Sequence, residues 1–134
     1  MPTFTVPGKP IGKPRHRHTR TGRLYIPKDH PVHKYIADVR GAWWAHWGPL
    51  TGKVIVSMQC YFPRPKRDKH LPEGICEYKS KPDSDNVFKA ATDALTGYAW
   101  WDDCTVDIGG VRRFYHERGG EPKTIITIEP GGSL

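Results

Sequence analysis

The sequence predicts an α+β domain: a small mixed or antiparallel sheet of about four strands with two main helices packed on it. Three observations lead there. Apolar residues alternate with period two in short runs near both ends and in the middle of the chain. They recur at helical spacing in two longer runs, 33–47 and 86–95. The order is strand, loop, helix, strand, loop, helix and two strands, with no repeat and no linker-like shift in composition. At 134 residues this is expected to be one domain, 1–134.

Residues 3–6 read as a first strand, with Phe4 and Val6 on one side. Residues 8–28 then carry seven Lys/Arg, two histidines and no acidic residue. Glycine and proline are expected to keep this stretch out of regular structure. Lys13, Arg15, Arg17, Arg20 and Arg23 are candidate contacts to the phosphates of a polyanionic partner, since a guanidinium offers a forked pair of donors to phosphate. A solvated tail is the alternative. His16, His18, His30 and His33 invite a metal reading, but His16 and His18 lie in a Gly/Pro-rich loop with no accompanying carboxylate or cysteine, and solvated or phosphate-facing histidines are the better reading; His33 begins the next element.

Residues 33–47 read as the first helix, with Tyr35, Ile36, Val39, Ala42, Trp43 and Trp47 on one face and Gly48-Pro49 as its stop. Trp44 falls off that face, open to a partner surface or a base. Residues 53–62 read as a strand apolar enough to be central. Residues 63–82 form a polar loop in which Arg64, Lys66, Arg67 and Lys69 extend the basic surface.

Residues 86–95 read as the second helix, through Val87, Phe88, Ala91, Ala94 and Leu95, with Asp85 as N-cap and Gly97 as stop. Residues 105–116 read as a strand with a bulge at Gly109-Gly110. Residues 117–120 are then expected to turn a hairpin into a return strand at 124–128, with a tail from 131.

Chemistry concentrates in residues 81–103. Asp83 and Asp85 follow Pro82, and in an extended segment residues i and i+2 point the same way. At about 3.6 residues per turn, Lys89 lies one turn below Asp85 and Asp93 one turn further. Asp102 and Asp103 offer a third carboxylate if the chain after Gly97 folds back as a short strand. Carboxylates forced together repel unless a cation sits between them. Mg²⁺ suits such oxygens, being held by one or two carboxylates plus water and substrate phosphate. From the residues alone, Asp85 as a mere helix cap and Asp102-Asp103 as an exposed turn remain an open alternative.

Charge sharpens the partner class. Residues 1–40 carry nine Lys/Arg against two Asp, and residues 41–134 carry twelve basic and twelve acidic residues, so the whole excess of +7 lies in the first third. Such a patch suits a polyanion. Cys60, Cys76 and Cys104 are widely spaced, without C-x-x-C, and suggest neither a zinc site nor a disulfide. No run reaches the roughly 18 apolar residues of a membrane helix. The N-terminus lacks the apolar core of a signal peptide. The expected compartment is the cytoplasm, with no membrane partner.

The string KPDSDNVFKAATDAL followed by WWDD resembles the RusA family of Holliday junction resolvases and their phage relatives. That family carries D-x-D-N-x-x-K opening a helix, then D-A-L, then D-D before a strand. The match falls on Asp83, Asp85, Asn86, Lys89, Asp93, Ala94, Leu95, Asp102 and Asp103. Phage relatives also begin with I-P-G-K-P-x-G-K and an arginine-rich loop. Here the chain has Val6-Pro7-Gly8-Lys9-Pro10-Ile11-Gly12-Lys13, departing at Arg15-His16-Arg17-His18 and Ile26-Pro27. The resemblance implies catalytic roles for Asp83, Asp85, Lys89 and Asp103, with Mg²⁺ on the three aspartates. It also implies a homodimer that cleaves branched DNA at four-way junctions. A non-catalytic nucleic-acid-binding protein is the main rival, and a small interaction protein using the tryptophan helix is a third reading.

Overall fold

The computed structural model describes residues 2–14, 17–67 and 70–131, with Arg17 by its backbone. The candidate Arg15, the side chain of Arg17, His16, Lys69 and the end of the tail lie outside the described residues. Among the described residues seven strands and two α-helices run in the order β1 (Thr3–Pro7), β2 (Arg17–His18), β3 (Leu24–Tyr25), α1 (Val32–Trp44), β4 (Val54–Phe62), β5 (Cys76–Glu77), α2 (Ser84–Leu95), β6 (Val106–Tyr115) and β7 (Lys123–Pro130). Five strands form one mixed sheet in the order β1-β7-β4-β6-β5. The α+β class holds, with one strand more than the expected four. The addition is β5, two residues long, inside the loop at 63–82.

β4 is central, as its apolar sequence requires. It runs parallel to β6 and antiparallel to β7. A parallel pair cannot be joined by a tight turn, and α2 supplies the crossover. Val54, Val56, Met58 and Cys60 project from β4 into the core beneath the helices, with Ile126 and Ile128 from β7 and Phe4 and Val6 from β1. α1 buries Val32, Tyr35, Val39 and Trp43 at steps of three and four. Trp47 stacks on Trp43 at 5.4 Å, and Phe4 meets Trp43 edge-on at 5.7 Å. Trp44 is exposed, as its position off the face implies, and touches Tyr98 by an edge. Tyr35 Oη and Thr124 Oγ1, 2.9 Å apart and buried, tie α1 to β7. Arg40 Nε donates to the Ala94 carbonyl at 2.8 Å, so α1 also satisfies the free carbonyl end of α2.

Two sequence expectations are corrected. Residues 117–120 do turn, with Gly120 N–H donating to the Glu117 carbonyl at 2.8 Å and Gly119 at φ +84°. The strands on either side do not form a hairpin, because β4 lies between them. A strand as apolar as β4 needs a neighbour on each edge, and β6 and β7 take one each. Residues 8–28 are also not wholly irregular. β2 and β3 pair as a small ribbon, Arg17 opposite Tyr25 and His18 opposite Leu24. Thr19 closes it, donating its N–H to Arg23 and accepting from Gly22 N–H.

The bulge at Gly109-Gly110 is present. The β4–β6 register shifts between Val56 and Met58, so Ser57 faces both glycines. A Cβ on Gly109 would stand 2.1 Å from Ser57 Oγ and 2.9 Å from Ile55 Cγ2, so any other residue would have to displace both side chains.

Candidate active site

α2 starts at a defined place because Asp83, in extended conformation, caps it. Asp83 Oδ1 accepts from Asn86 N–H at 2.9 Å. The expected cap, Asp85, lies instead in the first turn of the helix. The two aspartates are therefore not paired through an extended strand: one closes the helix end, and the other stands on its surface. Lys81 Nζ lies 3.8 Å from Asp83 Oδ2, both groups exposed.

The turn before α2 is pinned from β6 and the core. Arg113 Nη1 donates to the carbonyls of Ser80 at 2.7 Å and Pro82 at 3.0 Å, and its Nε donates to Ser84 Oγ at 3.2 Å. Tyr78 stacks on buried Phe62 at 3.9 Å, and its hydroxyl donates to the Lys81 carbonyl. Burial raises the Tyr78 phenol above its ordinary range and keeps it a donor. Nothing local in the sequence marks Arg113 for this task, since it acts across about thirty residues on another element.

The chain leaves α2 through Thr96 and Gly97 and turns over a buried Trp100, whose Nε1 donates to Thr96 Oγ1 at 3.0 Å. It makes a single bridge, Thr96 to Trp100, in place of the expected short strand. A short 3-10 turn, Asp103–Thr105, follows. Asp102 caps that turn, accepting from Cys104 N–H at 2.9 Å, and this bond holds its carboxyl below the usual range. The adjacent aspartates thus have different surroundings: Asp102 is engaged by the backbone, and Asp103 faces the helix.

One cleft of about 200 Å³ gathers Asp85, Lys89 and Asp93 from α2 with Asp103 from the turn, and Phe88, Thr92, Val106 and Ile108 line it too. Four of the residues singled out in sequence, scattered over nineteen positions, share this cleft. Asp83 is not among its lining residues. Among the described residues no three His, Cys, Asp or Glu side chains stand close enough to hold a metal together. The three-aspartate set is therefore not assembled here. The donors that do share the cleft are carboxylate oxygens without histidine or thiolate, which fits Mg²⁺ bound by two carboxylates, water and a substrate oxygen.

The basic arm docks beside this cleft. Lys9, Pro10, Ile11, Gly12 and Lys13 line a second, open groove with His30, Lys81, Pro82 and Asn86. Lys13 N–H donates to the Asn86 carbonyl at 3.1 Å, and Lys13 Nζ lies 2.7 Å from Asp93 Oδ2. Arg20 and Arg23 are exposed on the ribbon beyond. His30 Nδ1 accepts from Val32 N–H, and His33 Nε2 donates to the Pro27 carbonyl, so both fix the entry to α1. Trp101, 73% exposed and next to Asp102, has the largest open apolar surface near the cleft, a feature that sequence pattern did not separate from buried Trp100.

The chain is similar to "Uncharacterized protein YqaN" of Bacillus subtilis (strain 168), 29% identical over 136 residues that cover 93% of each chain. The family model described as Endodeoxyribonuclease RusA matches residues 7–129, from the end of β1 through nearly all of β7. That span takes in the arm, the cleft and the pinned turn, and the chain belongs to the RusA endodeoxyribonuclease family.

Proposed function

We propose that this protein is a Mg²⁺-dependent, structure-selective endonuclease that hydrolyses phosphodiester bonds at four-way junctions and other branched DNA, acting as a homodimer. The observation that carries this reading is the single cleft that holds Asp85, Asp103 and Lys89 beside a groove bearing Lys9 and Lys81. Carboxylates alone repel a phosphate, so their place next to a basic groove makes sense with a divalent cation between them and the substrate.

In this reading Asp85 and Asp103 would hold the ion, with Asp83 as the third carboxylate that the family resemblance implies. Bound Mg²⁺ would supply charge neutralisation and a more acidic water for in-line attack. Lys89 places a positive charge where the leaving oxygen develops negative charge. Phe88, Val106 and Ile108 add apolar surface to the cleft beside these polar groups. The arm, with Arg15, Arg17, Arg20 and Arg23, grips phosphates and so positions DNA without reading sequence. Two copies related by a two-fold axis would present two clefts to the paired strands of a junction. The reaction belongs to the cytoplasm of a bacterial or phage-infected cell, and no helix among the described residues is long and apolar enough to cross a membrane.

Incubating the protein with a synthetic four-way junction, a flap and a linear duplex, each with Mg²⁺ or chelator, tests the reading. Paired nicks in the junction with Mg²⁺ alone are expected. Tight junction binding without cleavage at any Mg²⁺ concentration would make the protein a non-catalytic binder of nucleic acid.

A further inference from the structure

Lys13 and Asp93 lie eighty residues apart and meet at 2.7 Å. Lys13 thus reaches α2 at the wall of the carboxylate cleft, not out into solvent. The contact has company. Lys13 N–H donates to the Asn86 carbonyl one helical segment earlier. A Cβ on Gly12 would stand 2.6 Å from Pro82 Cβ and 3.3 Å from Asn86 Cβ, so the backbone at Gly12 lies directly on the start of α2. Pro10 is buried, and Ile11 packs against the core. Residues 10–13 are therefore seated on the helix that carries Asp85 and Lys89, and the arginine-bearing ribbon leads away from that seat.

We propose that Asp93 is a positioning residue: by clasping Lys13 it holds the root of the arginine arm against α2, so that DNA gripped by the arm is presented to the cleft. The inference rests on the nuclease reading and adds a residue to it. It also changes the part played by Lys13, whose ammonium pairs with a carboxylate and works through Asp93 instead of touching phosphate. Asp93 gains as well. It lines the cleft with Asp85 and Asp103, and Lys13 balances the charge that would otherwise repel an incoming phosphate.

The two possible roles of Asp93 give opposite signs. A bystander carboxylate beside a DNA path weakens binding, so Asp93→Asn would tighten it. A clasp supports the arm, so Asp93→Asn loosens binding as much as Lys13→Met does. We expect each single variant to raise the junction Kd by about two- to fivefold, the span open to a partly exposed ion pair. The double variant should match either single one, because the two residues act as one unit. Exchanging the charges, Lys13→Asp with Asp93→Lys, should recover most of the affinity.

Tighter or unchanged binding by Asp93→Asn, with weaker binding by Lys13→Met, overturns the clasp and returns Lys13 to the phosphate contacts. Loss of cleavage by Asp93→Asn at unchanged Kd also overturns it and places Asp93 with the metal-binding carboxylates. A DNA-free readout separates this inference from the nuclease reading. Amide hydrogen exchange at residues 9–14 should speed up in both single variants while β4 stays protected. Unchanged exchange there overturns the clasp whether or not the protein cuts DNA.

Discussion

Arg113 and Pro82 stand thirty-one positions apart, yet Arg113 Nη1 donates to the Pro82 carbonyl at 3.0 Å. The same guanidinium holds the Ser80 carbonyl and Ser84 Oγ, so one side chain on β6 fixes the turn from which α2 and its aspartates start. The Tyr78 hydroxyl on the Lys81 carbonyl and the seat of Gly12 on Pro82 hold the same turn from other sides.

Arg113→Lys is expected to reduce cleavage sharply while leaving junction affinity nearly unchanged. An ammonium keeps the charge but lacks the planar fork that reaches three acceptors. Arg113→Ala should also lower stability by about 1–2 kcal/mol through the lost hydrogen bonds. Denaturant melts and single-turnover cleavage of both variants check this. Wild-type cleavage by Arg113→Lys would show that the turn holds its shape without the fork.

Asp85→Asn and Asp103→Asn are each expected to abolish cleavage and to leave junction binding intact or tighter, since each removes a metal donor and a charge that repels phosphate. Asp83 has two proposed tasks that one pair of variants separates. Asparagine caps a helix as well as aspartate does, whereas alanine costs about 1 kcal/mol. Asp83→Asn should therefore melt like the wild type yet fail to cut, and Asp83→Ala should lose both stability and cleavage. Normal cleavage by Asp83→Asn would confine that residue to capping.

Lys89→Ala should slow cleavage by about 10²- to 10³-fold, the usual effect of removing one donor to transition-state charge. Its junction Kd should rise only slightly. A collapse of binding at an unchanged single-turnover rate would make Lys89 a phosphate anchor.

Replacing Arg15, Arg17 and Arg20 with alanine should flatten the slope of log K against log salt by about two to three units, at roughly 0.9 per phosphate on duplex DNA. The fold should persist, because the ribbon that follows Lys13 places little in the core: its Leu24 and Tyr25 are both exposed. Titrations from low to moderate salt, wild type against triple variant, give the answer. An unchanged slope would move the DNA surface to Lys9, Lys81 and the loop around Arg64.

Stability should fall at alkaline pH. Burial pushes the Cys60 thiol from 9.0 up to about 12, and it also raises the Tyr35 phenol. Both protons stay on in the folded chain after the unfolded chain has lost them. The folded state therefore binds more protons, and the stabilisation present below the unfolded pKa is lost as pH climbs toward the folded one. The loss is at most about 1.4 kcal/mol per pH unit for each group. Melting temperatures from about pH 8 to about pH 11 should decline, and Cys60→Ala should decline less steeply. Equal slopes would mean that the thiol does not contribute.

Much of this protein was settled by local sequence. The period-two runs placed β1, β4, β6 and β7, and the period of 3.6 placed both helices, because burying one face of an element is a local demand on residue order. Gly109-Gly110 marked the bulge for the same reason: a close backbone approach requires a missing side chain. The segment 81–103 already carried the carboxylates and Lys89, and its motif already suggested the family. Tertiary structure alone decided how these parts meet. It put β4 between β6 and β7, where the turn at 117–120 suggested a hairpin, since strand neighbours are chosen by the burial of whole faces and not by the loop that joins them. It made Asp83 the cap and Asp85 a surface residue, because the turn held by Arg113 sets where the helix begins. It gave Asp102 the backbone N–H of Cys104 and put Asp103 in the cleft, and it brought Lys13 to Asp93. The strand order, the Arg113 grip and the Lys13–Asp93 pair join residues far apart in the chain, and no short-range pattern records them, because their energy appears only once the sheet has formed and brought the elements together.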